Sequence, residues 1–160
     1  MNTYSRPRWF LEKAMAGGGI SINYAAHSLD KICYLTQSDI AWATGSCTYL
    51  QPGTDVDGSA QMLLRTSSGI SASISLCGYS VVPIDETMLF FANGSLRLHT
   101  GSDLSVTCGI GYETVDTSSY PNAFEAQWAD FISGVRAGRI LYCDGTYGAS
   151  IVRTIELLYH

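Results

Sequence analysis

The sequence carries little charge. Lys, Arg, Asp and Glu make up 14% of its 160 residues, and the net charge is −5. Nucleic acids and anionic membranes attract proteins through clusters of Lys and Arg, whereas the nine basic residues here are scattered along the chain. We therefore expect neither nucleic acid nor a membrane as a partner, and we expect much of the surface to be neutral.

Long apolar runs and metal-type cysteine spacings are also absent. No run approaches the roughly 18 apolar residues that a membrane-spanning helix needs, and the polar, basic N-terminus does not resemble a secretory signal. The five cysteines are odd in number and widely spaced, without Cys-x-x-Cys or His-x-x-x-His, so we expect no metal site. Small buried thiols in a reducing compartment are the simplest interpretation, and they predict a cytoplasmic protein.

A dinucleotide-binding turn is missing as well. Such a turn reads Gly-x-Gly-x-x-Gly and stands between a strand and a helix. The nearest candidates are residues 17–19 and the pair Gly109 and Gly111, and neither has that setting. Because no Lys-Ser or Lys-Thr pair follows residues 17–19, a phosphate-binding loop is disfavoured there too.

What the sequence does contain is a hydrophobic period that changes along the chain. Apolar residues recur with a helical period over residues 21–35 and with a period of two from residue 41 to about 105. The helical period returns over residues 124–135 and 147–159. Hairpin turns are predicted at residues 66–69 and at Asn93-Gly94, and Trp128 and Phe131 are predicted to be core. We therefore predict one α+β domain over residues 1–160, a largely antiparallel open sheet with helices packed on one face.

The other face of this sheet is predicted to be free for oligomerisation. In the strand predicted for residues 70–77, apolar side chains alternate with Ser71, Ser73 and Ser75. Solvated antiparallel faces normally carry charged residues, and this strand carries none. A uniform hydroxyl surface can be self-complementary without matched charges, so we expect a homo-oligomer, most simply a two-fold dimer.

Three consecutive glycines, residues 17–19, precede the first long predicted helix. Glycines in a row indicate a turn with positive φ or a close approach to the backbone. On the helix, Asn23 and His27 are four residues apart and His27 and Asp30 three apart, so the three side chains lie on or near one face. A carboxamide, an imidazole and a carboxylate beside such a bend make a candidate substrate site.

Structural interpretations of the same residues stay open. The glycines could serve only a tight start to the helix, His27 could be a packed or surface residue, and Asp30 could simply be solvated.

The chain resembles the C-terminal domain of the Gfo/Idh/MocA oxidoreductases, which are NAD(P)-dependent dehydrogenases of sugars, inositols and related polyols. The resemblance lies in Arg-Trp-Phe-Leu at residues 8–11, Gly-Gly-Gly at 17–19 and Asn-x-x-x-His-x-x-Asp at 23–30. It extends to two closing segments, FEAQWADFISGVRAG and GTYGASIVRTIELLY. It implies a small sugar or polyol as ligand and subunit contacts through the exposed sheet face.

The resemblance also implies roles for individual residues. His27 would exchange the proton of the hydroxyl being oxidised, and Asn23, at a position that is often Asp in the family, would orient His27 or the substrate. The remaining candidate substrate-binding residues are Asp30, Arg8, Trp9, Gly18 and Gly19.

Full-length members of the family begin with a dinucleotide-binding domain and have a catalytic lysine in a Glu-Lys-Pro segment. This sequence has neither, because Lys13 and Lys31 stand in other contexts. We therefore expect no cofactor site in this chain, with NAD or NADP implied for a full-length relative, and no catalysis by the chain alone. We expect either that it was cut from a longer protein or that it is a stand-alone second domain. The alternative function is a stand-alone carbohydrate-binding or structural oligomerisation module derived from that family.

Overall fold

A computed structural model describes residues 6–50, 52–79, 82–139 and 141–159. The prediction that the N-terminus is not a secretory signal concerns in part the first five residues, which lie outside the described residues. The chain divides into two compact units, one formed by residues 1–81 and 142–160 and the other by residues 82–141. The predicted α+β class with antiparallel strands is confirmed, and the strands form two sheets.

The first unit begins with short helical segments that lead to the glycines. A 3-10 turn, Arg8–Leu11, is followed by helix α1, Lys13–Ala16. After the glycines a π-helical turn, Ser21–Ala25, continues directly into helix α2, Ala26–Thr36. The helix predicted for residues 21–35 is therefore present, and its first turn is wound more widely than an α-helix.

A three-stranded antiparallel sheet follows. Its strands are β1, Ile40–Thr48, β2, Ser59–Thr66, and β3, Ser71–Cys77, in the order β1-β2-β3. The turn predicted between β2 and β3 is present, with Gly69 at a φ of 87°. The alternation predicted for β3 is also present, because Ile74 is buried and the serines are exposed.

Helix α4, Gly145–Glu156, and a final 3-10 turn, Leu157–Tyr159, complete the first unit. The core lies between one face of the sheet and α2, α4 and the final turn, and the sheet's other face is left open, as predicted. Burying a Leu, Ile or Met side chain contributes about 1.5–3 kcal/mol, so this layer is the main source of stability in the unit. Its buried residues are Ala25, Leu29, Cys33, Ala60, Met62, Leu64, Ile74, Ile151, Ile155 and Leu158.

The second unit contains a four-stranded antiparallel sheet and one long helix. The strands, in the order β4-β5-β6-β7, are Glu86–Phe91, Gly94–His99, Asp103–Thr107 and Glu113–Thr114. Helix α3, Ala123–Ala137, starts at Asn122, whose side chain accepts a hydrogen bond from the Phe124 amide, and ends at Gly138 with a φ of 63°. No helix within the described ranges is both long and apolar enough to cross a membrane.

The prediction that Trp128 and Phe131 belong to the core is wrong. Both side chains are exposed, Trp128 by 65%, and so are Phe124 and Val135 on the same stripe of α3. Trp128 and Phe131 stack on each other, with ring centroids 5.6 Å apart. A helical period shows that one face is apolar, but it does not show that the chain itself covers that face.

The hairpin predicted at Asn93-Gly94 exists with its turn shifted by one residue. Phe91 pairs with Gly94, so the two loop residues are Ala92 and Asn93, and neither Asn93 nor Gly94 has a positive φ. Gly94 is needed for another reason, since a side chain there would collide with the carbonyl oxygen of Thr107 on β6.

Candidate functional site

The three glycines form a bend whose close neighbours are other parts of the same unit. Gly17 has a φ of 80° and open space around it. A Cβ atom on Gly18 would collide with the hydroxyl of Tyr159, and one on Gly19 with the carbonyl oxygen of Asp57. Both expected uses of glycine, positive φ and close approach, therefore occur, and what approaches the bend is residue 57 and the final turn.

Asp57 closes on this bend with its side chain and its backbone. Its Oδ1 accepts hydrogen bonds from the Gly19 amide (2.7 Å) and the Tyr159 hydroxyl (2.7 Å). Its Oδ2 accepts from the Ser21 amide (2.8 Å) and the Ser21 hydroxyl (2.6 Å). The Asp57 carbonyl oxygen accepts from the Ile20 amide at 2.9 Å. Three successive amides thus bind one residue, whose side chain is only 1% exposed.

These contacts keep the buried carboxylate ionised. Burial by itself raises the pKa of Asp57, but the hydrogen bonds from Ser21, Tyr159 and Gly19 outweigh burial, and the pKa lies below its usual range. The pKa of Tyr159 is raised by its own burial and then by the Asp57 carboxylate, so its phenol keeps the proton that it donates. A negative charge at the start of a helix is also favoured by the exposed amides there.

The helix that follows has a buried side and an open side. Ser21, Ala25 and Leu29 are fully buried toward the core, whereas Asn23 is half-buried and His27 is exposed. The backbone amide of Asn23 donates a hydrogen bond to the carbonyl oxygen of Gly19 at 3.2 Å, which connects Asn23 to the bend. π-helical turns are uncommon and are often found at functional sites. The imidazole of His27 is therefore accessible one helical turn beyond a side-chain amide.

Asp30 stands at the edge of this open side, against helix α4. The Tyr147 hydroxyl donates to Asp30 Oδ1 at 2.7 Å, which leaves the other carboxylate oxygen for a further donor. Burial and then the Asp30 carboxylate raise the pKa of Tyr147, so the phenol remains a donor. The ring of Tyr142 packs 5.1 Å from that of Tyr147.

The other predicted substrate residues are Gly18 and Gly19 in the bend and Arg8 and Trp9 in the 3-10 turn that precedes helix α1. Arg8 pairs with Glu12, with Nε 2.7 Å from Oε1, and the exposed Trp9 ring packs edge-on against Phe10. Both backbone groups of Gly19 are engaged, by Asp57 and by Asn23, and Gly18 is buried. A polar depression of about 410 Å³ borders this segment, lined by Arg8, Leu11, Glu12, Gly53, Thr54 and Asp55.

That depression is not lined by Asn23, His27 or Asp30. That Arg8 and Trp9 belong to one substrate site with these three residues therefore stays a prediction.

Asp57 and Tyr147 were not singled out from the sequence. Nothing in the sequence marks Asp57, whose partners Gly19 and Tyr159 are 38 and 102 residues away. A single acidic residue just before a strand gives no local indication of such distant donors. The sequence indicates Tyr147 only as the first residue of the last predicted helix.

The arrangement gives little support to a metal or a phosphate group. Within the described part of the chain, no three His, Cys, Asp or Glu side chains are placed to hold a metal ion. The amides of Gly19, Ile20 and Ser21 already bind Asp57, so the glycine bend does not fit a dinucleotide phosphate. The five cysteines, all in described positions, form no disulfides.

Comparisons with known proteins agree with this architecture. The profile of the family described as GFO/IDH/MocA C-terminal domain matches residues 1–97. A search of curated proteins found no match.

Several solved structures share the fold. One is an aldose-aldose oxidoreductase from Caulobacter crescentus complexed with glycerol, at 21% identity and a TM-score of 0.82, over 95% of this chain and 48% of that one. Another is a UDP-N-acetylglucosamine 3-dehydrogenase from Acidithiobacillus ferrooxidans, at 18% identity and a TM-score of 0.74, over 88% and 46%. A third is a levoglucosan dehydrogenase in complex with NADH, at 17% identity and a TM-score of 0.84, over 97% and 51%. The chain thus spans about half the length of each.

Proposed function

The chain belongs to the GFO/IDH/MocA C-terminal domain family, and on that premise we propose that it is the substrate-binding and oligomerisation half of an NAD(P)-dependent sugar or polyol dehydrogenase. The observation that carries the proposal is the open side of the site helix, where His27 is exposed and Asn23 is bonded to the bend. The solved relatives support the substrate class and the cofactor, since one is an aldose-aldose oxidoreductase complexed with glycerol and another is levoglucosan dehydrogenase with NADH.

Each residue has a part in oxidising a hydroxyl group. Histidine is the side chain best suited to take and return a proton near neutral pH, so His27 removes the proton from the hydroxyl oxygen. Asn23 has an amide, which cannot accept a proton, and it orients the hydroxyl or the imidazole. Asp30 accepts a hydrogen bond from a neighbouring hydroxyl of the substrate, at the carboxylate oxygen that Tyr147 leaves available. Arg8 and Trp9 border the ligand from the segment before the glycines.

Proton removal is only half of such an oxidation. The hydrogen on carbon must leave as a hydride, and the amides of the glycine bend, which could otherwise hold a dinucleotide phosphate, are engaged by Asp57. We therefore assign no cofactor-binding residue here, and we expect the chain alone to be inactive. A cytoplasmic location belongs to the same proposal and is supported by five cysteines without disulfides.

The oligomerisation half of the proposal concerns the open face of the first sheet. Cross-strand partners share a face, and the register places Thr44, Leu63 and Ser73 in one row. Trp42 and Leu63 are more than half exposed on this face, and Arg65 is the one charged residue that the three strands present there. Short hydroxyl side chains around two large apolar ones suit a flat contact with a second copy, with about 800 Å² buried on each partner.

The alternative is a stand-alone carbohydrate-binding or structural module derived from that family. A titration of the chain with glycerol, levoglucosan and UDP-N-acetylglucosamine, followed by amide and imidazole NMR signals, separates the structural module, for which no binding is expected, from the two functions that bind a sugar or polyol. The proposal expects saturable shifts centred on Asn23 and His27 that are lost in His27→Ala and kept in His99→Ala, which changes a histidine of the second sheet. No saturable shift with any of the three probes would leave only the structural module.

A further inference from the structure

We propose that Asp57 is a positioning residue of the candidate site, because it fixes where the site helix begins and which way its open side faces. The identification of Asn23 and His27 as the site rests on the proposed function. Asp57 itself contacts neither of them in any hydrogen bond of the described residues, so its effect passes through the glycine bend.

Three attachment points make the bend specific in position and in rotation. The amides of Gly19, Ile20 and Ser21 donate to Oδ1, to the backbone carbonyl and to Oδ2 of Asp57, respectively. One bond would fix a distance only, whereas three successive bonds to one residue fix the direction of the chain as it enters the helix. The Ser21 hydroxyl adds a fourth donor at the first residue of the π-turn.

The bend is thereby joined to the sheet. Asp57 lies two residues before the first residue of β2, and the amide of the intervening residue, Gly58, donates to the Thr48 carbonyl at the end of β1 at 2.9 Å. Val56 on the other side is buried. Residue 57 is therefore held by its neighbours, and the helix start follows the position of the sheet.

The link from the bend to the site is short. Gly19, which donates to Asp57, also accepts the hydrogen bond of the Asn23 amide through its carbonyl oxygen. His27 is one turn farther along the same helix. A rotation of the bend would therefore turn the Asn23 and His27 side chains together.

Tyr159 holds the carboxylate in this orientation. Its hydroxyl donates to Oδ1 alongside Gly19, and its ring fills the space in front of Gly18. The preceding residue, Leu158, is buried, and its carbonyl oxygen accepts a hydrogen bond from the thiol of Cys47 at 3.7 Å. Tyr159→Phe removes one donor and keeps the ring, so it weakens the attachment with little change in packing.

Amide hydrogen exchange of the folded chain tests this attachment. Tyr159→Phe is compared with Ile74→Val, a core change in the same unit that removes none of the hydrogen bonds between the bend and Asp57. We expect Tyr159→Phe to raise exchange at Gly19, Ile20 and Ser21 roughly tenfold more than at core amides such as that of Met62, as for the loss of a hydrogen bond to a charged group. Ile74→Val should raise both sets equally. Equal rises in Tyr159→Phe would overturn the proposal.

The functional consequence needs a second measurement. Levoglucosan is titrated into both variants while the Asn23 and His27 signals are followed. Positioning predicts a weaker response in Tyr159→Phe and an unchanged one in Ile74→Val, whereas unchanged responses in both overturn it. A wild-type chain without any response would count against the proposed function alone, because hydrogen exchange still decides whether Asp57 holds the bend. Asp57→Asn should have larger effects than Tyr159→Phe, which decides the question if Asp57→Asn does not fold.

Discussion

Gly19→Ala should destabilise the chain far more than Gly17→Ala, although the two glycines belong to one bend. Gly17 has a φ of 80° and nothing near the place of a side chain, so alanine there meets only backbone strain. At Gly19 the new methyl group would overlap the carbonyl oxygen of Asp57. Either the bend or residue 57 must move by more than thermal motion allows.

The structure gives the size of the difference. Such a movement stretches the bonds from Gly19 and Ser21 to the carboxylate and from Ile20 to the carbonyl. Hydrogen bonds to charged groups contribute about 1.5–3 kcal/mol each, so Gly19→Ala should cost about 3–5 kcal/mol of the free energy of unfolding. A positive φ outside the regions that alanine favours costs about 1–3 kcal/mol, partly offset by a gain of about 0.4–1 kcal/mol from the stiffer unfolded chain. Gly17→Ala should therefore cost about 1 kcal/mol.

Urea denaturation followed by circular dichroism measures both costs. With a slope of about 2 kcal/mol per molar urea, the midpoint of Gly19→Ala should lie about 1–2 M below that of Gly17→Ala. Equal midpoints would refute the reasoning, because they would mean that residue 57 does not press on the bend.

Three further outcomes follow from the same contacts and surfaces. The folded-state pKa of Asp57 lies below its unfolded value, so the stabilisation that its carboxylate provides is full above about pH 4 and is lost as the pH falls through the folded pKa. In urea titrations, wild type should therefore lose more stability than Asp57→Asn between pH 5 and pH 2. Parallel losses in the two proteins would contradict this. Ser73→Arg should convert a dimer to a monomer in light scattering, whereas Ser118→Arg in an exposed loop should not; a monomeric wild type at tens of micromolar ends the idea. Calorimetry should detect no binding of NADH or NADPH to the chain, and micromolar affinity for either would contradict the assignment of no cofactor site.

Residues that alternate along a strand were predictable from the sequence because burial of one face is a local pattern. In β3 the serines point outward and Ile74 inward, as the two-residue period requires. The end of α3 was also predictable, because a glycine after the last apolar residues of a helical period commonly ends a helix, and Gly138 stands at that place.

The apolar stripe of α3 shows where this kind of inference stops. Phe124, Trp128 and Phe131 repeat with a helical period, and Phe124 is 81% exposed. The free energy of burial depends on what covers a surface, and a sequence period contains no information about the covering element. The fate of such a stripe therefore has to be read from tertiary structure.

The turn predicted at Asn93-Gly94 is shifted by one residue for a different reason. The dipeptide favours a two-residue loop with positive φ at both positions, but the strand register places Gly94 inside β5, opposite Phe91. The third strand then decides the residue type, because the Thr107 carbonyl leaves no room for a side chain at position 94. A contact made by a later strand thus overrides a local turn preference.

The glycine bend unites the local and the distant contributions. From the sequence, three glycines indicated a close approach, and a ligand was one candidate for the approaching group. The structure puts residue 57 against Gly19 and Tyr159 against Gly18, while Gly17 supplies the positive φ. Asp57 accepts the amides of Gly19 and Ser21 with its carboxylate and that of Ile20 with its backbone carbonyl oxygen, so these amides are not available to a phosphate, and the next helical turn starts from a fixed position. The glycines therefore bear on Asn23 and His27 through the orientation of their helix, which is why a motif without a reactive side chain can stand directly before the residues proposed to do the chemistry.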